Sequence, residues 1–373
     1  MQNTAITEKI GKLGFGYMRL PTIGDKPDID QVCKMADAFL ESGGTYFDAA
    51  YIYEDAEEAL RDTVLKRYRG DRDKIQVATK VSMHMIETHE NLVSVYETQL
   101  ERLGGDRIDF YLLHGINSMT SKKAEDLGAW GYLSELKSQG AIKHMGFSYH
   151  GTADDLDEIL AKHPETEFVQ LQINYLDWDN PQIMSRRLHE VARKHNIPIV
   201  IMEPVRGGLL ASEASPVAKF LHSANPDVSI ASWAMRFAAQ QSGVLVTLSG
   251  MTSMEQMTDN IATFSDLKPL TADESAILDE AVKILNSVPR IDCTDCHYCV
   301  KGCPSNILIP KMIDLLNDST VHKTLWSLSR LYGILTRRTG KASDCTACRA
   351  CEEICPQKLD IVDAMAQVTT VFE

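Results

Sequence analysis

Long hydrophobic runs and an excess of positive charge are both missing from this 373-residue sequence. No stretch of about 18 consecutive apolar residues occurs, so we expect no membrane span. The first 14 residues lack the basic and then apolar pattern of a secretory signal, so the expected compartment is the cytoplasm. Asp and Glu outnumber Lys and Arg by 52 to 38, which gives a net charge of −14. A nucleic-acid partner is therefore not expected.

Cysteine is scarce in most of the chain and concentrated at its end. Of the nine cysteines, Cys33 alone precedes Ile291, and it falls inside a predicted helix where we expect a core position. The first 285 residues carry 28 basic and 42 acidic residues, whereas the last 88 carry ten of each. Because the chain is also too long for one small domain, we predict two domains, residues 1–285 and 286–373, with a junction at Leu285–Pro289.

A Gly-x-Gly-x-x-Gly motif at the start of a helix is also missing, which argues against a Rossmann domain. The first domain instead alternates apolar strands with helices. The predicted strands begin near Leu13, Thr45, Ile75, Ile108, Ile142, Phe168, Ile197 and Val244. The predicted helices are Asp30–Ser42, a segment ending near Arg67, Asn91–Leu103, Leu127–Ser138, Asp154–Ala161 and Gln182–His195. This number of alternating units predicts the α/β class and a (β/α)8 TIM barrel rather than an open sheet.

Polar residues end three successive strands of this predicted barrel. Asp48 and Tyr53 follow the second strand, Lys80 ends the third and His114 ends the fourth. A lone Lys or Tyr is usually a solvated or packing residue, but the carboxyl ends of barrel strands converge on one face. We therefore expect these four residues to form one site.

An acid, a cation, a phenol and an imidazole together have a clear chemical use. A phenol with a pKa of about 10 is a poor acid until a cation stabilises its phenolate, and Lys80 can do this for Tyr53. Asp48 would hold Lys80 charged and oriented, and His114 could share the proton that Tyr53 donates. The reaction that this set indicates is the reduction of a carbonyl group.

The order and spacing of Asp48, Tyr53, Lys80 and His114 resemble the Asp-Tyr-Lys-His tetrad of aldo-keto reductases, over about Leu13 to Leu285. The resemblance implies an oxidoreductase that takes electrons from NAD(P)H and reduces a small-molecule aldehyde or ketone.

The resemblance also indicates nicotinamide-binding residues. Ser148 and Gln170 match the groups that hold the carboxamide, and Asn174 follows in the family pattern, although Gln170 and Asn174 could instead only cap their strands. Two positions depart from the family. Tyr149 stands where many members have Asn, and Met202 stands where a Tyr usually stacks on the nicotinamide ring.

Two segments suit the pyrophosphate of such a cofactor. Arg206 and Gly207 follow the seventh strand, and a loop and helix start run from Gly250 to Asn260 after the eighth, where barrels favour phosphates. The Gly250–Asn260 segment contains no Lys or Arg, whereas family members that prefer NADP place basic residues there. NAD(H) is therefore expected in preference to NADP(H).

The last eight cysteines form two copies of the run Cys-x2-Cys-x2-Cys-x3-Cys-Pro. They are Cys293, Cys296, Cys299 and Cys303, then Cys345, Cys348, Cys351 and Cys355. This is the bacterial ferredoxin spacing, in which three thiolates bind one iron-sulfur cluster and the fourth binds the other. Structural zinc usually takes two separated pairs of ligands, and disulfides are disfavoured in a cytoplasmic chain. The spacing therefore predicts two 4Fe-4S clusters.

The segment between the runs is 41 residues long, with predicted helices at Ile309–Leu316 and Thr320–Leu335. The second domain thus resembles a small α-helical ferredoxin. The whole chain resembles the branch of the aldo-keto reductase family that carries a C-terminal ferredoxin domain.

Three functions remain open for this combination, because a nicotinamide moves two electrons and each cluster moves one. The barrel could reduce carbonyls with NAD(P)H, with clusters that are structural or feed another step. It could instead bind a substrate or flavin that is reduced in one-electron steps by a redox partner such as a ferredoxin. It could also be a binding platform only. The complete tetrad favours the first function, and the departures at Tyr149 and Met202 favour the second. Substrate contacts come from variable loops, so the sequence does not identify the substrate.

Overall fold

The computed structural model describes residues 6, 9–24, 26–105, 107–287, 289–321 and 325–373. The chain divides into two compact units. The first contains Met1–Val205 and Ala224–Leu278, and the second contains Arg206–Ser223 and Asp279–Glu373. The domain limit at 285/286 stays a prediction, and residue 288 of its junction lies outside the described residues. None of the helices in the described ranges combines the length and apolar character that crossing a bilayer requires.

Eight parallel strands close into a barrel, each paired with its neighbours in chain order and the first with the last. They are β1 Leu13–Gly16, β2 Tyr46–Asp48, β3 Gln76–Ser82, β4 Ile108–Ile116, β5 Ile142–Tyr149, β6 Phe168–Gln172, β7 Ile199–Met202 and β8 Val244–Ser249. Two-residue strands at Thr22–Ile23 and Lys26–Pro27 pair separately. The predicted TIM barrel is confirmed.

Helices follow the strands in regular alternation. They are α1 Ile29–Glu41, α2 Ala56–Leu60, α3 His89–Arg102, α4 Ser118–Asp126, α5 Ala129–Ser138, α6 Ala153–Lys162, α7 Ser185–Lys194, α8 Ala218–Ala224, α9 Ile230–Ala239, α10 Met254–Ser265 and α11 Ala272–Ser287. Helix α2 continues into a π-helical turn at Arg61–Leu65. Side-chain caps fix several helix starts; Thr88, for example, accepts a hydrogen bond from the backbone of Asn91 before α3.

Side chains alternate between the inside and the outside of the barrel wall. The buried cluster inside the barrel contains Tyr46, Ala78, Phe110, Leu112, Phe168, Val200, Val246 and Leu248. The intervening residues, such as Phe47, Val77 and Tyr111, belong to the larger core that also takes in the helices. The interior is therefore a packed core. Inward-facing polar residues that follow this core along a strand lie at the opening at the carboxyl end of the barrel.

The second unit is helical around its own core, as the sequence predicted. Its helices after α11 are α12 Tyr298–Lys301, α13 Ile309–Val321, α14 Leu325–Leu335, α15 Ala350–Ile354 and α16 Ile361–Phe372. Met312 and Ile313 of α13 are buried together with Ala364 and Met365 of α16. The predicted helix Thr320–Leu335 includes residues 322–324, which lie outside the described residues.

Candidate functional site

Strand alternation brings the four predicted tetrad residues to one place. Tyr46 faces the interior, so Asp48 two residues later faces the same way, as Lys80 does after Ala78 and His114 does after Leu112. The parallel register sets Ser82 beside His114 and Asp48 beside Ala78. Each polar group follows an apolar interior layer, so all three lie at the carboxyl end of the barrel.

Lys80 is the centre of this group. Its ammonium donates hydrogen bonds to the Asp48 carboxylate and, at 2.7 Å, to the carbonyl oxygen of Ala49. The same nitrogen lies 5.2 Å from the centroid of the Tyr53 ring. The Tyr53 and His114 rings meet edge to face with centroids 5.8 Å apart. Asp48, Lys80 and His114 are buried and Tyr53 is half-buried, so the phenol is the member that faces the mouth.

Burial and neighbouring charges set the protonation of this group. Burial alone would lower the pKa of Lys80, but Asp48 and Tyr53 outweigh it and the pKa is raised, so Lys80 stays cationic. Burial raises the pKa of Asp48, whereas the Lys80 ammonium lowers it, and the short contact holds the two as an ion pair. The pKa of His114 is lowered well below its usual value, first by burial and then by Lys80, so His114 is neutral at pH 7.

A buried polar network behind Lys80 was missed by the sequence analysis. Glu57 accepts hydrogen bonds from Thr79 at 2.5 Å, from Gln99 at 2.6 Å and from Arg102 at 3.2 Å. Burial raises the pKa of the Glu57 carboxyl, and these donors oppose that rise. One signal could have found the network: Gln99 continues the buried stripe of α3 formed by Leu92 and Tyr96, where a polar residue is out of place.

The network also holds the backbone that leads to Tyr53. The backbone N–H of Tyr51 donates to the Lys80 carbonyl oxygen at 3.1 Å. Gln99 donates to the same oxygen at 3.1 Å. Arg102 donates to the carbonyl oxygen of Tyr51 at 3.2 Å and lies 4.6 Å from the centroid of its ring. The backbone N–H of Tyr51 is therefore fixed to the strand that carries Lys80, and its carbonyl oxygen is fixed to Arg102. Tyr51 lies two residues before Tyr53, so these bonds position the segment that leads to the phenol.

Two predicted carboxamide ligands are neighbours. Ser148 of β5 and Gln170 of β6 are register partners and both are buried. Ser148 accepts a hydrogen bond from the backbone of Gly115 at 2.9 Å. The side-chain oxygen of Gln170 is buried without a hydrogen-bond partner among the described residues. A buried acceptor of this kind fits an amide donor, so these residues suit a nicotinamide carboxamide.

Asn174 and Tyr149 have protein partners instead. Asn174 donates to Asp177 at 2.7 Å and to the Glu203 carbonyl oxygen at 3.0 Å, and its own oxygen accepts from the backbone of Asp177 at 2.8 Å. These bonds show that Asn174 holds the loop that follows β6. Its predicted role in binding the cofactor stays a prediction. Tyr149 donates to the Thr152 carbonyl oxygen at 2.8 Å and packs against Phe147, on the outer side of the wall.

The predicted pyrophosphate residues belong to two different units. Gly250 directly follows β8, and Asn260 of α10 is buried and donates to Ser249 at 2.9 Å. The side-chain oxygen of Asn260 lacks a hydrogen-bond partner in the described part of the chain. Arg206 and Gly207 belong to the second unit. There the Arg206 guanidinium donates to Asp292 at 2.8 Å and to Gln357 at 3.4 Å, so the protein already engages the predicted phosphate ligand.

The eight C-terminal cysteines line two cavities in the second unit. Cavity A is lined by Cys293, Cys296, Cys299 and Cys355. Cavity B is lined by Cys303, Cys345, Cys348 and Cys351. Each cavity therefore has three thiols from one run and the fourth from the other. Cys33, the remaining cysteine, is half-buried in α1.

The two runs also share one backbone shape. Left-handed residues recur at equivalent positions: Asp295 has its counterpart in Ala347, and His297 has its counterpart in Arg349. Left-handed residues in such turns aim backbone N–H groups into a concavity that accepts negative charge. Asp295 accordingly donates its N–H to the Cys293 sulfur at 3.4 Å. A set of four thiols with N–H donors around it fits an iron-sulfur cluster.

Comparison with protein families agrees with both units. The Aldo/keto reductase family model matches residues 12–283, and the 4Fe-4S dicluster domain model matches residues 292–359. A barrel with an oxidoreductase site, joined to a two-cluster domain, is the class that these matches define. The chain belongs to the aldo/keto reductase family of oxidoreductases, in the branch with a C-terminal 4Fe-4S dicluster domain.

Individual relatives match the barrel. Aldo-keto reductase str7 of Strobilurus tenacellus is 32% identical over 225 residues, which cover 56% of this chain and 63% of that protein. The holo form of an aldo-keto reductase from Bacillus halodurans is 25% identical with a TM-score of 0.59, covering 72% of this chain and 91% of that one. An aldo/keto reductase from Klebsiella pneumoniae in complex with NADP and acetate is 21% identical with a TM-score of 0.57, covering 73% and 92%. The last likeness is one of fold.

Proposed function

We propose that the protein reduces a small-molecule carbonyl compound with a nicotinamide cofactor in the barrel, and that its second unit carries two 4Fe-4S clusters for electron transfer. The observation that carries the proposal is the packing of Tyr53 beside a buried, charge-paired Lys80, with His114 against the same ring. A phenol beside a buried cation is suited to donating a proton to an oxygen that gains negative charge.

Each tetrad residue has a distinct part in this reaction. Tyr53 donates its phenolic proton to the carbonyl oxygen as that oxygen becomes an alkoxide. Lys80 stabilises the phenolate left behind, and Asp48 keeps Lys80 charged and directed at Tyr53. His114, neutral because its pKa is lowered by burial, serves as a hydrogen-bond partner for the substrate oxygen rather than as a cation. The exclusion of water around the three buried groups strengthens these interactions.

The nicotinamide, when bound, would supply the hydride, and Ser148 and Gln170 would hold its carboxamide. The free acceptor on Gln170 supports this assignment. Asn174 would shape the adjoining loop, and Gly250 with Asn260 would approach the phosphates. The Gly250–Asn260 segment has no Lys or Arg, so we propose NAD(H) as the preferred cofactor.

Cavity A and cavity B would each hold one cluster on four thiolates. The crossed origin of the thiols supports this, because ferredoxin runs of this spacing exchange their fourth ligand. The dicluster match favours a second candidate function, in which a redox partner such as a ferredoxin delivers single electrons to a substrate or flavin in the barrel. The two candidates differ in whether turnover depends on the clusters.

The test compares two variants of the full chain, purified without oxygen. In the proposed function, Tyr53→Phe loses about 10²- to 10⁴-fold in NADH-driven carbonyl turnover while binding NADH normally, because only the transferable proton is removed. Cys348→Ala retains that turnover if it folds. If Tyr53→Phe turns over at the wild-type rate while folded Cys348→Ala is inactive, the hydride mechanism is wrong and the one-electron function replaces it. Iron and acid-labile sulfide near eight each per chain in the wild type are the control for cluster content.

A further inference from the structure

The predicted phosphate ligand Arg206 lies beside cavity A. Its side chain is only 4% exposed, and its carboxylate partner Asp292 also forms an ion pair with Arg290 at 2.8 Å. A buried guanidinium is retained in proteins when planar, directed hydrogen bonds satisfy it. The hydrogen bonds of Arg206 therefore mark the segments that it holds together.

The two partners of Arg206 come from different cysteine runs. Asp292 immediately precedes Cys293, the first thiol of cavity A, and its oxygen lies 2.8 Å from the guanidinium. Gln357 follows Cys355 by two residues and itself lines cavity A. Cys355 is the thiol that the second run contributes to this cavity. Arg206 thus joins the two backbone segments that must meet for cavity A to have four thiols.

The residue after Arg206 supports the same packing. Gly207 has a φ of 63°, and a Cβ at this position would lie 2.8 Å from the backbone of Thr294. Thr294, between Cys293 and Cys296, also lines cavity A. Glycine therefore allows the Arg206–Gly207 backbone to lie directly against the first cysteine run.

Cavity B offers a natural comparison. Arg349 lines it but has a side chain that is 64% exposed, with an ion pair at 2.8 Å to Glu352 in the helix that follows, α15. A solvent-screened cation acts weakly at a distance, whereas a buried one acts strongly. Arg206, whose partners border cavity A, is therefore buried, whereas Arg349, which lines cavity B, is exposed to solvent.

We propose that Arg206 is a positioning residue for the cluster of cavity A, where its hydrogen bonds hold the two cysteine runs together and its buried charge raises the reduction potential of that cluster. The charge acts because reduction adds one electron to the cluster, and a nearby cation favours the more negative state. This inference rests on the cluster part of the proposed function and is independent of the carbonyl chemistry.

The experiment is a redox titration of the full chain, with dithionite as reductant, followed by electron paramagnetic resonance. Cys296→Ser and Cys348→Ser first identify the signals of the clusters in cavities A and B. We expect Arg206→Met to make the cavity A cluster about tenfold harder to reduce at a fixed potential, a shift of about 59 mV for one electron, and to leave cavity B unchanged. Arg349→Met should shift cavity B by less.

A second variant separates the two roles of Arg206. Arg206→Lys keeps the charge but loses the planar fork, so it should keep the potential within a twofold change in the equilibrium while losing iron faster from cavity A than the wild type does. If Arg206→Met loses the cavity A cluster outright, selective loss there, with cavity B retained, supports the positioning role. Equal effects on both clusters, or wild-type potentials and iron retention in both Arg206 variants, would overturn the proposal. A wild-type chain without labile sulfide would instead overturn the cluster assignment itself.

Discussion

The barrel site and the cysteine cavities differ in the residues that form them. The barrel site combines four different side chains from the ends of three strands, and its buried Lys80 and Asp48 balance each other's charge. The cavities combine identical thiols from two copies of one run, and the buried cation Arg206, bonded to Asp292 beside the first run, comes from a segment distant in sequence. The charges of the barrel site therefore balance within the site itself. In the cavities, the charge balance depends on the bound group and on the residues around it.

The largest effect is expected for a substitution that removes the charge balance of the barrel site and leaves the cysteine cavities unchanged. Lys80→Met removes the cation that stabilises the Tyr53 phenolate, so carbonyl turnover should fall by about 10²- to 10⁴-fold. The eight cysteines are unaffected, so iron and sulfide content should equal the wild type. Steady-state kinetics with metal analysis tests both statements. Lys122→Met, which changes an exposed lysine paired with Asp126, is the control and should keep full turnover. If Lys80→Met lost iron and Lys122→Met did not, the barrel site and the cysteine cavities would not be independent of each other.

The same contrast explains which features could be predicted from the sequence. The grouping of the cysteines is predictable because short spacing determines which thiols meet, and the crossed pattern of the cavities follows from the motif. Asp48, Lys80 and His114 are predictable because strand alternation carries each one to the same face. Arg206 received different partners from those expected, because long-range packing decides what a charged residue after a strand contacts.

The polar network of Glu57, Gln99 and Arg102 could not be predicted in full for a related reason. Glu57 lies in the first turn of α2 next to Glu58, and Glu57 is buried while Glu58 is only partly buried. Helical periodicity has an uncertainty of about one residue at a helix start, so it cannot decide between adjacent carboxylates. The packing of α2 against α3 makes the choice.

An effect of intermediate size is expected at the Gly250–Asn260 segment, which has no positively charged residue. Without a Lys or Arg in Gly250–Asn260, a 2'-phosphate forgoes charge-assisted hydrogen bonds of about 1.5 to 3 kcal/mol, more than tenfold in affinity. NADH should therefore bind at least as tightly as NADPH in a fluorescence titration. A clear preference for NADPH would mean that another cation reaches the phosphate. Repeating the titration with Arg206→Met would then show whether that cation is Arg206.

The smallest effect concerns Glu57, whose charge reaches Lys80 through the buried network. Burial lowers the pKa of Lys80, whereas Asp48, Tyr53 and, as the smallest contribution, Glu57 raise it. Glu57→Gln keeps the size of the side chain but removes its charge, so the pKa of Lys80 should fall. Because Lys80 acts as a cation, the alkaline limb of the pH-rate profile should move to lower pH, whereas turnover at pH 7 should stay near the wild-type rate, since Lys80 is still charged there.

Glu58→Gln is the matched control for this last change. Glu58 is the neighbouring residue, and it contacts the same arginine, with its carboxylate 3.3 Å from Arg102, but its side chain is 38% exposed. Water screens its charge, so its removal should leave the alkaline limb in place. A merely structural role for Glu57 would lower turnover equally at every pH and leave the limb where it is. Identical profiles for the two variants would show that burial gives Glu57 no special influence on Lys80, and that Asp48 and Tyr53 maintain the charge of Lys80 without it.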